Sequence, residues 1–198
     1  MKLSELSKDA KSAAIDEARY WWADGDWWDS TYEMIERDLA ILGFDEFRIT
    51  GFDLDRGRRL EYEFSFVYSP EADLSELPCK RNDAGEYEPH PDLIDIYRTL
   101  CSAGAMCAMY DMTWRLKSWG SNKQRYGRDI EFNEYDFMYY LDEALGTTIS
   151  EMLDSAMQDV EHYALKMLDD ELEWLTSDEF IAENLEENYE FDEDGGVI

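Results

Sequence analysis

The chain has 198 residues, 44% hydrophobic and 15% aromatic, and its 48 Asp and Glu against 18 Lys and Arg give a formal net charge of −30. That length and aromatic load predict a folded core rather than disorder, while the charge disfavours nucleic acid and anionic membrane as direct partners and leaves a basic protein face as the natural complement. No apolar run approaches the roughly 20 residues of a membrane span, Met1-Lys2-Leu3-Ser4-Glu5 does not begin like a signal peptide, and Cys79, Cys101 and Cys107 form no CxxC pair, so they read as reduced thiols.

In chain order, Ser7 is a plausible N-cap for a helix from about Lys8 to Ala23, with Ala10, Ala14, Ala18, Trp21 and Trp22 close to one face. A second helix, about Trp27 to Leu42, carries Trp28, Tyr32, Ile35 and Leu39 on a stripe and ends at Gly43. The Trp21-Trp22 and Trp27-Trp28 doublets predict a sequence-local aromatic cluster at this corner, read as core packing. Two strands follow, Glu46–Phe52 and Arg59–Tyr68, around an Asp53-Leu54-Asp55-Arg56-Gly57 turn. That turn has the Asp/Asp/Gly spacing of a calcium loop but lacks its remaining ligands, so a hairpin turn is the better reading. Residues Ser69–Pro91, with four prolines, read as a long connector.

A helix from about Asp92 to Met109 precedes two more strands, roughly Asp111–Trp119 and Lys123–Phe132, which carry Arg115, Lys117, Lys123, Arg125 and Arg128. With the Arg56–Arg59 turn, they predict a four-stranded antiparallel sheet holding most of the positive charge. Asn133 caps an expected short helix, Glu134 to Leu145, broken at Gly146. An amphipathic helix then runs from Thr148 to Trp174 on a stripe including Leu153, Ala156, Val160, Tyr163, Ala164 and Leu168. Thr176 and Glu179 have capping-box spacing and start a last helix to about Asn188, after which Phe191 is placed to tuck against the globule. The whole reads as one α+β domain over 1–198: a helix and sheet core (1–132) and an acidic helical region (133–198).

Catalytic signatures are sparse. His90 and His162 have no Cys, Ser or second His at triad or zinc spacing, and there is no Gly-rich phosphate loop. Pairs of carboxylates are expected by chance in so acidic a chain, so a non-enzymatic protein without metal or cofactor is expected. The charge is polarised: twenty-three carboxylates lie between Asp129 and Asp194, opposed by Lys166 alone. Proteome-wide salt adaptation would also acidify a chain, but this polarity and the seven Trp and thirteen Tyr weigh against it.

A helix from Thr148 to Trp174 would be ~40 Å long at ~1.5 Å per residue, a length over which duplex DNA presents roughly 24 charges. Glu151 to Glu187 offers thirteen carboxylates and one Lys, and the tail adds four acids. Such a surface either fills the basic groove of a DNA-binding protein or is simply the solvated outer face of amphipathic helices.

The stretches Leu3–Leu39 (LSELSKDAKSAAIDEARYWWADGDWWDSTYEMIERDL), Ile49–Phe52 (ITGF) and Leu172–Ile198 (LEWLTSDEFIAENLEENYEFDEDGGVI) resemble a family of small acidic accessory proteins encoded by tailed bacteriophages. The likeness covers both ends of the chain. It departs after Phe52, where Asp53-Leu54-Asp55-Arg56-Gly57 replaces a Gly/Gln-rich segment. The resemblance implies a phage protein in the host cytoplasm and no particular mechanism.

Charge and setting together lead to an expected inhibitor of a host defence protein of restriction or CRISPR type, acting as a DNA mimic on a basic, DNA-binding target. The side chains expected to meet it are Asp154, Asp159, Glu161, Asp169, Asp170, Glu173, Glu183, Glu186 and Glu187. Two rivals remain open. One is a sponge for a nucleotide signal, using Arg115, Lys117, Arg125 and Arg128 with Trp114 and Trp119. The other is an antitoxin-like or structural phage protein. A homodimer is also left open.

Overall fold

The computed structural model describes residues 1–55, 58–67, 74–81, 87–108, 114–119, 127–132 and 143–198, and it is mixed α and β. The helices are Lys8–Ala18 (α1), Asp29–Ile41 (α2), Pro91–Ala108 (α3), Glu143–Leu175 (α4) and Asp178–Asn188 (α5). The strands are Phe44–Asp53 (β1), Arg59–Val67 (β2), Cys79–Arg81 (β3), Tyr87–Pro89 (β4), Trp114–Trp119 (β5) and Gly127–Phe132 (β6). The chain divides into a terminal unit, Met1–Thr31 with Met167–Ile198, and a central unit, Tyr32–Lys166.

The terminal unit is built from the two ends of the sequence. Ser7 caps α1 as expected, its hydroxyl accepting from the Ala10 N–H at 3.2 Å. The spacing of Ala10, Ala14, Ile15 and Ala18 then gives α1 one buried face. Leu3, Ala14, Ile15 and Ala18 pack with Ile181, Leu185 and Phe191. Phe191 is indeed tucked in, and it exchanges backbone hydrogen bonds with Met1: the Met1 amine donates to Phe191 O, and Phe191 N–H donates to Met1 O, both at 2.9 Å. At Gly195, φ is +92° and a Cβ would lie 2.6 Å from the Ala10 carbonyl oxygen, so this close approach requires glycine.

Three expectations change here. The helix α1 stops at Ala18 rather than Ala23, because tertiary contacts override its continuation: Trp21 and Trp22 pack instead on Tyr189, and Trp22 on Phe180. The tryptophan cluster is therefore not sequence-local, and Trp27 and Trp28 meet each other edge-on at 5.7 Å. The cap of α5 is Ser177, accepting from Phe180 N–H at 3.2 Å, whereas the Thr176 hydroxyl turns back to donate to Leu172 O at 2.8 Å. Thr176 closes α4 instead of opening α5.

In the central unit β1 and β2 form an antiparallel hairpin from Phe44↔Phe66 to Asp53↔Arg59, with register shifts between Asp45 and Arg48 and between Ile49 and Gly51. A second hairpin pairs β5 with β6, from Trp114↔Phe132 to Trp119↔Gly127. The two are joined over three pairs, Ser65↔Lys117 to Val67↔Arg115, in the order β1-β2-β5-β6. At the β1–β2 turn the Asp53 carboxylate accepts from Asp55 N–H at 2.9 Å, while Arg56 and Gly57 lie outside the described residues. The expected connector holds a short 3-10 turn, Leu74–Glu76, and the hairpin β3–β4, and Pro91 opens α3, where a missing N–H costs nothing.

Gly146 does not end a helix: α4 runs unbroken through it for 33 residues. An interior glycine costs only about 1 kcal/mol relative to alanine, and burial of Leu153, Ala156, Met157, Val160, Tyr163 and Ala164 along α4 outweighs it. Residues 133–142, most of the expected short aromatic helix, lie outside the described residues. Around Ile35, Leu39, Leu60 and Phe64 the core of this unit is strongly aromatic, with Phe44–Phe64 centroids at 5.4 Å and Phe47–Tyr62 at 5.3 Å.

Candidate interaction surface

The terminal unit concentrates the charge. Its two segments carry twenty carboxylates against Lys2, Lys8, Lys11 and Arg19, and Met167–Ile198 contains no cation at all. Because Ile181 and Leu185 point α5 inward, Glu179, Glu183 and Glu187 fall at four-residue intervals on its exposed side. Asp170 and Glu173 are exposed on the last turns of α4, and Asp169 is half-buried.

Two of the four cations are committed. Arg19 bridges Asp16 and Asp178, each at 2.8 Å, and donates to Thr176 O at 2.9 Å. Hydrogen bonding to Asp16 and then Asp178 raises its pKa further, so it is a fixed charge. Lys2 reaches the carbonyls of Glu187 and Tyr189.

Glu186 has a structural task. Its carboxylate accepts from Ser4 N–H at 2.7 Å and from the Ser4 hydroxyl at 2.9 Å, and the backbone bond first, then the hydroxyl, lowers its pKa. A carboxylate held in this way serves the fold before it serves a partner.

In the central unit Asp154 and Asp159 are exposed on α4, and Glu161 is half-buried, accepting from the Tyr62 hydroxyl at 2.8 Å. Desolvation, then the neighbouring Asp95, raises the Asp159 pKa although the residue reaches solvent. Of the nine side chains expected to meet the target, three belong to the central unit and six to the terminal unit. Six are exposed, and Glu161 and Glu186 are engaged in hydrogen bonds of the fold.

Sequence reasoning passed over a buried polar group in the central unit. The Tyr163 hydroxyl donates to Asp38 Oδ2 at 2.8 Å, and Arg37 holds the other oxygen, Oδ1, at 2.9 Å. The His90 ring stands edge-on to Tyr163 at 5.2 Å, its Nδ1 is buried without a hydrogen-bond partner among the described residues, and burial lowers its pKa. Asp38 sits between Arg37 and Leu39 at the edge of the α2 stripe, a polar residue at a core position, which was the available signal.

The basic strands are placed by backbone register only: Arg115 stands opposite Glu131, Lys117 opposite Asp129 and Arg128 opposite Ser118. Lys123 and Arg125 lie outside the described residues. Among the described residues no cluster of His, Cys, Asp and Glu is placed to hold a metal ion, and no helix is long and apolar enough to cross a membrane. Comparison with protein families, characterised proteins and solved structures returns no match.

Proposed function

We propose that the protein is a non-enzymatic, phage-encoded inhibitor that presents a duplex-like array of carboxylates to a basic, nucleic-acid-binding protein of host defence. The observation that carries this reading is the segment Met167–Ile198, thirteen carboxylates without a cation, whose folded helix α5 turns Glu179, Glu183 and Glu187 outward. Like charge held on a folded frame costs stability by self-repulsion, and a basic partner would relieve that cost on binding. Asp170, Glu173, Glu183 and Glu187 make the contact in this reading, with Asp154 and Asp159 adding to the field that steers a cationic partner.

The test is an affinity capture from nuclease-treated host lysate with salt elution, followed by competition with duplex DNA. A basic protein that leaves the column as salt rises, is displaced by duplex, and is not retained by the variant Asp170→Lys/Glu173→Lys/Glu183→Lys/Glu187→Lys is the expected result. Retention indifferent to the four reversals would sink the proposal. An antitoxin-like partner of a basic toxin would bind through the same acids, and a captured protein that duplex cannot displace would point to it.

A further inference from the structure

The terminal unit also carries a continuous row of five aromatic rings. Trp21 meets Tyr189 at 5.6 Å, Tyr189 meets Trp22 at 6.4 Å, Trp22 meets Phe180 at 5.7 Å and Phe180 meets Trp174 at 5.6 Å. The middle of the row packs on the apolar core, but its ends do not: Trp21 is 40% exposed and Trp174 45%, and Tyr20 beside Trp21 is 68% exposed. Core packing accounts for Trp22 and Phe180. It does not account for two tryptophans left partly in water.

What surrounds the row narrows its occupant. Exposed Glu173 precedes Trp174, exposed Glu190 follows Tyr189, and exposed Asp24 and Asp26 follow the Trp21-Trp22 pair. The unit as a whole has twenty carboxylates to four cations. Stacked nucleotides or an anionic lipid would bring negative charge into this field, and a second copy of the unit would bring twenty more carboxylates. A cation with a flat apolar face fits both features. Arginine is such a cation, since its guanidinium stacks on an aromatic face and still offers N–H donors to carboxylates at its edge. Lysine, a compact and strongly hydrated charge, gains less from the rings.

We propose that this row is an anchoring site for arginine side chains of a protein partner, with guanidinium groups stacked on Trp21 and Trp174 and bonded to acids of the same unit. The site deepens, and rests on, the reading of the acidic surface as a docking face for a basic protein: the acids attract, and the rings select arginine and hold it where exposed ion pairs alone contribute little.

Titration of the full chain with nona-arginine and with nona-lysine, followed by tryptophan fluorescence at two salt concentrations, tests it. Nona-arginine is expected to bind about tenfold more tightly than nona-lysine. In the variant Trp21→Leu/Trp174→Leu, which keeps apolar bulk and removes the two exposed rings, that preference is expected to shrink to about twofold or less while nona-lysine binding is unchanged. Each single exchange, read separately after circular dichroism confirms the fold, is expected to lose part of the preference.

Equal binding of the two peptides to the unaltered protein, or a preference that survives the double exchange, overturns the aromatic site and leaves the acidic docking face standing. Failure of both peptides to bind overturns both. Self-association of the protein that the double exchange abolishes would assign the row to a second copy and also overturn the proposal.

Discussion

Among single residues, Tyr163 and Asp38 have the most at stake. Both are almost fully buried, and the carboxylate is divided between a tyrosine hydroxyl and the Arg37 guanidinium. Removing the hydroxyl leaves one buried oxygen short of a donor, so Tyr163→Phe is expected to cost about 1–3 kcal/mol, read as a lower urea midpoint. An unchanged midpoint would mean that the pair contributes nothing net.

Burial, reinforced by the bond to Asp38, also pushes the Tyr163 pKa well above tyrosine's ordinary range. A folded pKa above the unfolded one favours the protonated form, so this contribution is intact below about pH 10 and is lost as pH climbs beyond it. The loss of stability above that pH is expected to be shallower in Tyr163→Phe than in the unaltered chain.

At the scale of elements, the helix ends carry the sharpest expectation. Ser177, not Thr176, caps α5, its hydroxyl satisfying the Phe180 N–H. Ser177→Ala is expected to destabilise by about 1 kcal/mol, while Thr176→Ala, which removes only a hydroxyl bonded back into α4, is expected to stay within about 0.5 kcal/mol. Thermal denaturation of the two variants side by side decides the order.

The same ends explain what could be read from the sequence. Helical periodicity placed the buried faces of α1, α2 and α4, and alternation placed β2, because those signals are local. The difference between a Thr176 cap and a Ser177 cap is one residue of chain path, and only the fold's own hydrogen bonds fix it. Gly146 misled for a related reason: a breaker's cost is local, and the packing that overrides it is not. The row from Trp21 to Trp174 was invisible because its members lie at opposite ends of the sequence. The acids were conspicuous, but their outward direction on α5 follows from the burial of Ile181 and Leu185, whereas the structural tasks of Glu161 and Glu186 depend on Tyr62 and Ser4, which no spacing rule connects to them.

The molecule as a whole carries −30. Its like charges oppose one another in the folded state, and salt shortens their reach from about 30 Å at 0.01 M to about 10 Å at 0.1 M. The melting temperature is therefore expected to rise by several degrees between these conditions, since relief of repulsion outweighs loss of surface ion pairs such as Arg98–Asp95. A flat or falling melting curve would show that the carboxylates are already compensated within the fold.

The joining of Met1 to Phe191 and of α1 to α5 also sets a timetable for biosynthesis. A ribosome makes Met1–Thr31 before Met167–Ile198, with the 135 residues of Tyr32–Lys166 between them. At typical bacterial to eukaryotic translation speeds that interval lasts roughly 7 to 27 s. During it the nascent N-terminal segment, with Leu3, Ile15 and Trp22, has no partner strand of chain to cover it and stands open to chaperones and proteases. A segment made before the central unit is thus covered only after it.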